Sequence, residues 1–157
     1  VLATPFKKIF NRLGLGKLIY LFIALKQIIF ISPGKITVTL DGENTFSYDH
    51  VYFTAVMNQK YEGGGFKFCP NAQSDDQMLD VILVEGIKKL KLLFCLPTAF
   101  LGKHTRIKGI HLFTGRDIRI HSASPLPIHI DGESGGIRED LTVSIEKNSL
   151  KIILPVV

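Results

Sequence analysis

The chain has 157 residues, 46% hydrophobic and 21% charged, which is enough apolar material for one compact domain and excludes a disordered chain. Nineteen basic against fourteen acidic residues leave a formal charge of +5, favouring an anionic partner such as a phospholipid surface, a nucleotide or a nucleic acid without choosing among them. Cys69 and Cys95 stand alone in apolar surroundings with no metal-ligand spacing, so buried reduced thiols are expected rather than a disulfide, and a reducing cytoplasm with them.

The sequence opens at Val1 with neither a methionine nor a charged leader and cleavage site, and reads as a fragment of a longer protein. The apolar density from Leu13 to Ile31 predicts a helix over about 13–31. Lys17, Lys26 and Gln27 interrupt it, and the unbroken run Leu18–Leu25 is far shorter than the ~20 residues a bilayer crossing needs, so the helix is read as buried or docking. Pro33-Gly34 ends it.

From Lys35 the period becomes two, with Ile36, Val38 and Leu40 alternating against Lys35, Thr37 and Thr39, as a half-buried strand requires. Asp41-Gly42 gives a turn, Phe46 and Tyr48 resume the alternation, and Val51–Met57 predicts a central strand covered on both faces. Short strands are expected at Phe66–Phe68 and Asp80–Val84. Leu90, Leu93, Phe94, Leu96 and Leu101 with Lys88, Lys89 and Lys91 predict a basic amphipathic helix over about 87–103, which Pro97 should kink or split. Strands are then expected at 107–113, 116–121, 126–130, 141–145 and 150–154, separated by turn-forming residues. The result is a single domain over 1–157, mainly β: a two-layer antiparallel β-sandwich with one or two peripheral helices.

Three features carry candidate chemistry. Gly63-Gly64-Gly65 permits positive φ and close backbone approach, serving either a hairpin or bulge or a ligand-binding loop; it lacks the Gly-Lys-Ser/Thr of a nucleotide P-loop. Gln73-Ser74-Asp75-Asp76-Gln77-Met78-Leu79-Asp80 gathers oxygen ligands of the kind that hold Mg²⁺ or Ca²⁺, or forms a solvated acidic loop. Asp131-Gly132-Glu133 follows an alternating strand and is either a hairpin turn or a pair of catalytic carboxylates; Asp41-Gly42-Glu43 repeats it where only a turn is expected. The five histidines show no metal pairing or nucleophilic triad and read as surface or strand-face residues. Nor do the aromatics interleave with arginines as in a nucleic-acid platform, so nucleic acid is not expected as a partner.

Order and spacing join these features. Asn58-Gln59-Lys60-Tyr61-Glu62-Gly63-Gly64-Gly65 resembles the Asn-Gly-x-Tyr-x-Gly-Gly-Gly segment of bacterial diacylglycerol kinases and related lipid kinases. It runs into Phe66-Lys67-Phe68-Cys69-Pro70-Asn71-Ala72, similar to their apolar-Lys-apolar-x-Pro-x-Ala stretch, and then into the acidic loop ending Leu79-Asp80-Val81. Pro127 through Asp131-Gly132-Glu133 resembles their Pro-x-x-x-x-Asp-Gly-Glu strand and turn. Gln59 stands where those kinases usually have Gly, and Gln73 and Gln77 replace a commoner Asp and Gly.

The resemblance implies the carboxy-terminal, substrate-side half of an ATP-dependent lipid kinase that phosphorylates the hydroxyl of diacylglycerol or a related lipid. The preceding α/β domain with its Gly-Gly-Asp-Gly-Thr motif is missing from this sequence, would bind most of the ATP, and is the expected partner; the fragment alone should be inactive. By the same resemblance Glu133 is the proton acceptor, Asp131 shapes or polarises its turn, Asn58, Gly63, Gly64 and Gly65 form a loop near substrate or phosphate, and Mg²⁺ is held at Gln73, Asp76 and Met78, Asp76 through its carboxylate and the other two through backbone carbonyls. Lipid substrate at the membrane surface, a cytoplasmic and peripheral location at the inner membrane, and an allowance for a homodimer follow. The rival reading is a non-catalytic β-sandwich module that binds lipid or carbohydrate.

Overall fold

A computed structural model describes Lys26 and residues 29–146. Of the helix expected over 13–31, only Lys26 and residues 29–31 are described, of which Lys26, Ile29 and Phe30 are helical and Ile31 is not; the strand expected at 150–154 lies outside the described residues. Six strands follow: β1 (Gly34–Leu40), β2 (Asn44–Met57), β3 (Leu79–Glu85), β4 (Ile110–Gly115), β5 (Asp117–Ile130) and β6 (Glu133–Ser144). One helix, α1 (Lys89–Phe100), lies between β3 and β4.

All six strands form one antiparallel sheet in the order β4-β3-β2-β1-β5-β6. That order forces the sheet to curl. β4 ends at Gly115 and β5 begins at Asp117, yet three strands lie between them; in a flat sheet they would be about 19 Å apart, whereas a single intervening residue reaches about 7 Å. The curl is concentrated where strands change partners: β2 pairs with β1 up to Val51 and with β3 beyond it, with an irregularity between Val51 and Phe53. The two layers expected from the sequence are thus halves of one hydrogen-bonded sheet folded over a shared interior.

That interior is filled by Ile36, Val38 and Leu40 of β1, Leu79, Val81 and Leu83 of β3, and Ile118 and Ile120 of β5. Phe46 of β2 meets Phe113 of β4 with ring centroids 5.0 Å apart. A second core lies on the outer face of β3, where Ile82 and Val84 pack with Met57, Cys69, Ala72, Ile87 and Leu92 beneath α1 and the β2–β3 loop. β3 is therefore covered on both sides, which is why Leu79–Val84 reads as a nearly continuous apolar run.

Four expectations are corrected. Phe66–Phe68 is not a strand, because its backbone bonds to α1 and the turn after it: the Lys67 amide donates to Ala99 O at 2.9 Å, and His104 Nε2 lies 3.0 Å from Phe68 O. The segments 116–121 and 126–130 form the single strand β5, with a bulge between His121 and Leu126 instead of a break. α1 runs through Pro97 to Phe100 unsplit. His104 is not a surface residue but buried, at 2% exposure.

Candidate functional site

The β2–β3 connection, residues 58–78, is long for a hairpin and carries two of the three sequence features. Asn58 leaves β2 exposed, Gly63–Gly65 forms a 3₁₀ turn with Gly65 at φ +87°, and the acidic loop returns to β3 at Leu79. The two limbs approach each other around a shallow concavity of about 340 Å³ lined by Gln59, Lys60, Tyr61, Ala72, Gln73, Ser74 and Asp75. Lys67 Nζ lies over the Tyr61 ring, 5.8 Å from its centre. Lys60, Tyr61 and Asp75 were within quoted motifs but not singled out; only the folding back of one loop limb on the other identifies them as lining residues.

The glycine turn is anchored from behind. Phe66, immediately after it, is buried and stacks on Phe100 at the end of α1, with centroids 4.3 Å apart. Together with the Lys67–Ala99 and His104–Phe68 contacts this ties three successive loop residues to the helix and to the turn after it.

In the acidic loop, Asp76 Oδ1 accepts the Met78 amide at 2.9 Å across Gln77, which sits at φ +58°. A left-handed residue with a side chain is strained there. The Asp80 carboxyl is pushed above the usual carboxylate range, first by burial and then by the negative charge of Asp76, with a hydrogen bond from Thr114 opposing. Among the described residues no group of three or more His, Cys, Asp or Glu converges. The donors proposed at Gln73, Asp76 and Met78 are all hard oxygens of the kind Mg²⁺ takes, with Asp76 the one carboxylate among them.

Asp131 and Glu133 sit elsewhere. β5 pairs with β1 only as far as Ser122; from Leu126 onward it pairs with β6 alone, and the two strands project as a ribbon. Ile130 faces Glu133 across a two-residue turn in which Asp131 and Gly132 have φ of +49° and +87°, the type I′ geometry expected of Asp-Gly. Neither residue lines the concavity in the β2–β3 loop, and a Cβ at Gly63, Gly65 or Gly132 would find no neighbour within 4 Å, so the two loops do not pack on each other at those points.

The other Asp-Gly-Glu triplet provides an internal comparison. Asp41 and Gly42 share the left-handed backbone, with φ of +54° and +74°, in a three-residue connection between Leu40 and Asn44. Asp41 Oδ1, however, accepts the amides of Arg116 at 2.8 Å and Asp117 at 2.9 Å, pinning the β1–β2 turn to the β4–β5 joint where the sheet closes. Those amides hold its carboxyl below the usual range. Asp131 and Glu133 have no side-chain hydrogen bond or ion pair among the described residues and are exposed.

Comparison with known proteins places this geometry in context. The sequence pattern described as the YegS C-terminal NAD kinase beta sandwich-like domain matches residues 7–154. A Bacillus subtilis (strain 168) protein named "Putative lipid kinase YtlR" is 31% identical over 132 residues, covering 84% of this chain and 42% of that protein. A protein named diacylglycerol kinase from Mycobacterium tuberculosis is 28% identical over 140 residues, covering 85% and 44%. A crystal structure of a diacylglycerol kinase from Bacillus anthracis superposes with a TM-score of 0.60 at 20% identity, over 78% of this chain and 42% of that one, showing a shared fold. The chain thus spans less than half the length of these relatives.

Proposed function

Because the chain belongs to the family of YegS C-terminal, NAD kinase-like β-sandwich domains, we propose that it is the substrate-side half of an ATP-dependent lipid kinase that phosphorylates the hydroxyl of diacylglycerol or a related lipid. The observation that supports this reading is the placement of Glu133, exposed beside Asp131 at the tip of a projecting ribbon; Asp131 has no side-chain hydrogen bond among the described residues, whereas the Asp41 carboxylate of the other Asp-Gly-Glu turn is engaged in closing the sheet. A base so placed serves a site completed by another domain. The relatives, about twice as long, have room for one.

In the reaction, an oxygen of the lipid hydroxyl attacks the γ-phosphorus of ATP, the bond to the β-phosphate oxygen breaks, and ADP leaves. Such transfer depends chiefly on positioning and charge stabilisation. Glu133 takes the hydroxyl proton as the new O–P bond forms, and Asp131 shapes the turn that presents it. The β2–β3 loop, with Asn58 and Gly63–Gly65, lies on the substrate or phosphate side. Mg²⁺, where held by Gln73, Asp76 and Met78, supplies structural charge balance to the acidic loop. The nucleotide rests mainly on the amino-terminal α/β half, so the present chain alone has no turnover. We assign the whole protein to the cytoplasmic side of the inner membrane as a peripheral protein; no helix among the described residues is long and apolar enough to cross a membrane.

The test is Glu133→Gln in the full-length protein, assayed with labelled ATP against a panel of lipid alcohols. The side chain is exposed and unpaired, so folding is retained while turnover falls by roughly 10²-fold or more. Unchanged phosphorylation removes Glu133 from the mechanism, and a wild-type protein that phosphorylates no lipid leaves the non-catalytic binding module as the better reading.

A further inference from the structure

Helix α1 is apolar on two sides. Leu92, Cys95 and Ala99 face inward and are buried at 5% exposure or less. At about 100° per residue, Leu90, Phe94, Pro97 and Leu101 fall within roughly 60° of one another on the opposite side. They are exposed: Leu90 at 68%, Phe94 at 73% and Leu101 at 67%. Phe30, at 75% exposure, lies close by, since Lys89 Nζ donates to the carbonyl oxygen of Ile29 at 2.7 Å.

The charge around this stripe has one sign. From Gly86 to Gly109 the chain carries Lys88, Lys89, Lys91, Lys103, Arg106 and Lys108 and no Asp or Glu. All six cationic residues are exposed. Lys89 and Lys91 lie about 100° to either side of Leu90, so the apolar ridge has cationic groups on both flanks.

We propose that this outer face of α1, with Phe30 beside it, docks onto an anionic phospholipid bilayer, Leu90, Phe94 and Leu101 entering the headgroup–acyl boundary and the lysines meeting lipid phosphates. An exposed apolar ridge edged only by cations matches the requirements for lying in a bilayer interface, where apolar burial and attraction to anionic headgroups add. A protein partner of matching shape would need carboxylates all round the ridge, whereas an anionic bilayer supplies negative charge on every side of it. The proposal deepens the lipid-kinase reading and rests on it for its consequence. Through the Phe66–Phe100 stack and the Lys67–Ala99 hydrogen bond, the docking helix also carries the loop with Gly63–Gly65, so the membrane contact sets where that loop stands relative to the bilayer.

The experiment is sedimentation of the full-length protein with vesicles of phosphatidylcholine alone and of phosphatidylcholine mixed with phosphatidylglycerol. Wild type should bind the anionic vesicles at least tenfold better than the neutral ones, with binding falling as salt rises. Lys88→Glu and Lys91→Glu should each weaken binding to anionic vesicles by about fivefold or more. The double change Leu90→Ser with Phe94→Ser should weaken binding to anionic vesicles even at low salt. All these positions are exposed, and an unchanged circular dichroism melt verifies that each variant is folded. Equal binding to both vesicle types overturns the proposal, as does wild-type binding by the Leu90/Phe94 variant. A change in oligomeric state on light scattering without a change in vesicle binding also overturns it, showing the face to be a protein interface. The kinase reading fails separately, when wild type binds anionic vesicles as expected yet transfers no phosphoryl group to any lipid offered.

Discussion

Replacing Gly132 by Ala tests whether the ribbon that presents Glu133 is mechanically separate from the sandwich. Gly132 has φ +87°, and a Cβ there would find nothing within 4 Å, so the substitution adds no clash and its cost is the backbone term alone, about 1–2 kcal/mol for a side chain held in the left-handed region. Among the described residues β5 pairs only with β6 beyond Ser122, and Ile130 and Ile137 at the tip are 59% and 65% exposed, so the turn can open without disturbing either core. The cost should therefore appear as local opening. In the 157-residue chain, amides from Glu133 to Ile137 should exchange about 5–30-fold faster, the factor that corresponds to 1–2 kcal/mol. The thermal midpoint should move by less than the ~2–4 °C per kcal/mol seen when a core change is felt globally in a chain of this size. Gly132→Asn, which tolerates the left-handed region, should fall between Ala and wild type. Gly109→Ala is the contrasting case: its φ is +96°, and a Cβ there would collide with the Glu85 carbonyl and the Ile87 side chain between β3 and β4, so the whole melt should shift down. A Gly132→Ala melt lowered as far as that of Gly109→Ala, or tip amides with unchanged exchange, would refute the separate ribbon.

Two further predictions concern buried groups. Burial pushes the His104 imidazole below its usual range, with its hydrogen bond to Phe68 opposing, so as pH falls the unfolded chain takes up the proton first. Stability should be full above about pH 6.5 and decline below it by at most ~1.4 kcal/mol per pH unit. Urea unfolding of wild type and His104→Gln checks this, the difference between them isolating the histidine from Asp80, whose shift has the opposite sense; a difference that does not change between neutral and mildly acid pH defeats it. Burial, reinforced by the charge of Asp80, pushes the Cys69 thiol up to about 12. At about pH 8 only ~10⁻⁴ of it is thiolate, so iodoacetamide should label Cys69 only on unfolding, and rapid labelling of the folded chain would contradict its burial.

The fold was legible where one face of an element decides its residues. Ile36, Val38 and Leu40 alternate because β1 has a core on one side and a polar face on the other, where Thr37 and Thr39 pair with Ser47 and Thr45. It was misread where a residue's meaning depends on what lies beside it. Ser122-Ala123-Ser124-Pro125 reads as a break between two strands, yet it lies inside β5 at the irregularity between His121 and Leu126, where a proline without an N–H interrupts no regular pairing. Pro97 looks like a helix splitter, but it lies on the outward side of α1 with only a few residues left to run. Phe66–Phe68 has strand composition and is drawn instead into the aromatic packing beneath α1. His104, a lone histidine, gives no sequence signal of its role in holding Phe68 O.

The candidate site shows the same limit at a single tripeptide. Asp41-Gly42-Glu43 and Asp131-Gly132-Glu133 are identical in sequence and share positive φ at Asp and Gly, because local backbone preference sees only the residues themselves, although Leu40 pairs with Asn44 across three residues and Ile130 with Glu133 across two. What separates them is sequence-distant: β4 ends one residue before β5 begins, which brings two amide groups to Asp41, while β5 outruns β1 by eight residues, which leaves Asp131 and Glu133 with no partner from the sandwich. A carboxylate that accepts two backbone amides is held in place and its charge is stabilised, which makes it a poor proton acceptor. One at the end of an unsupported ribbon is a better candidate, provided that a second body supplies the walls of the site. The assignment of Glu133 and the requirement for a nucleotide-binding half are therefore one claim: a full-length protein in which the ribbon tip stands clear of that half would remove both together.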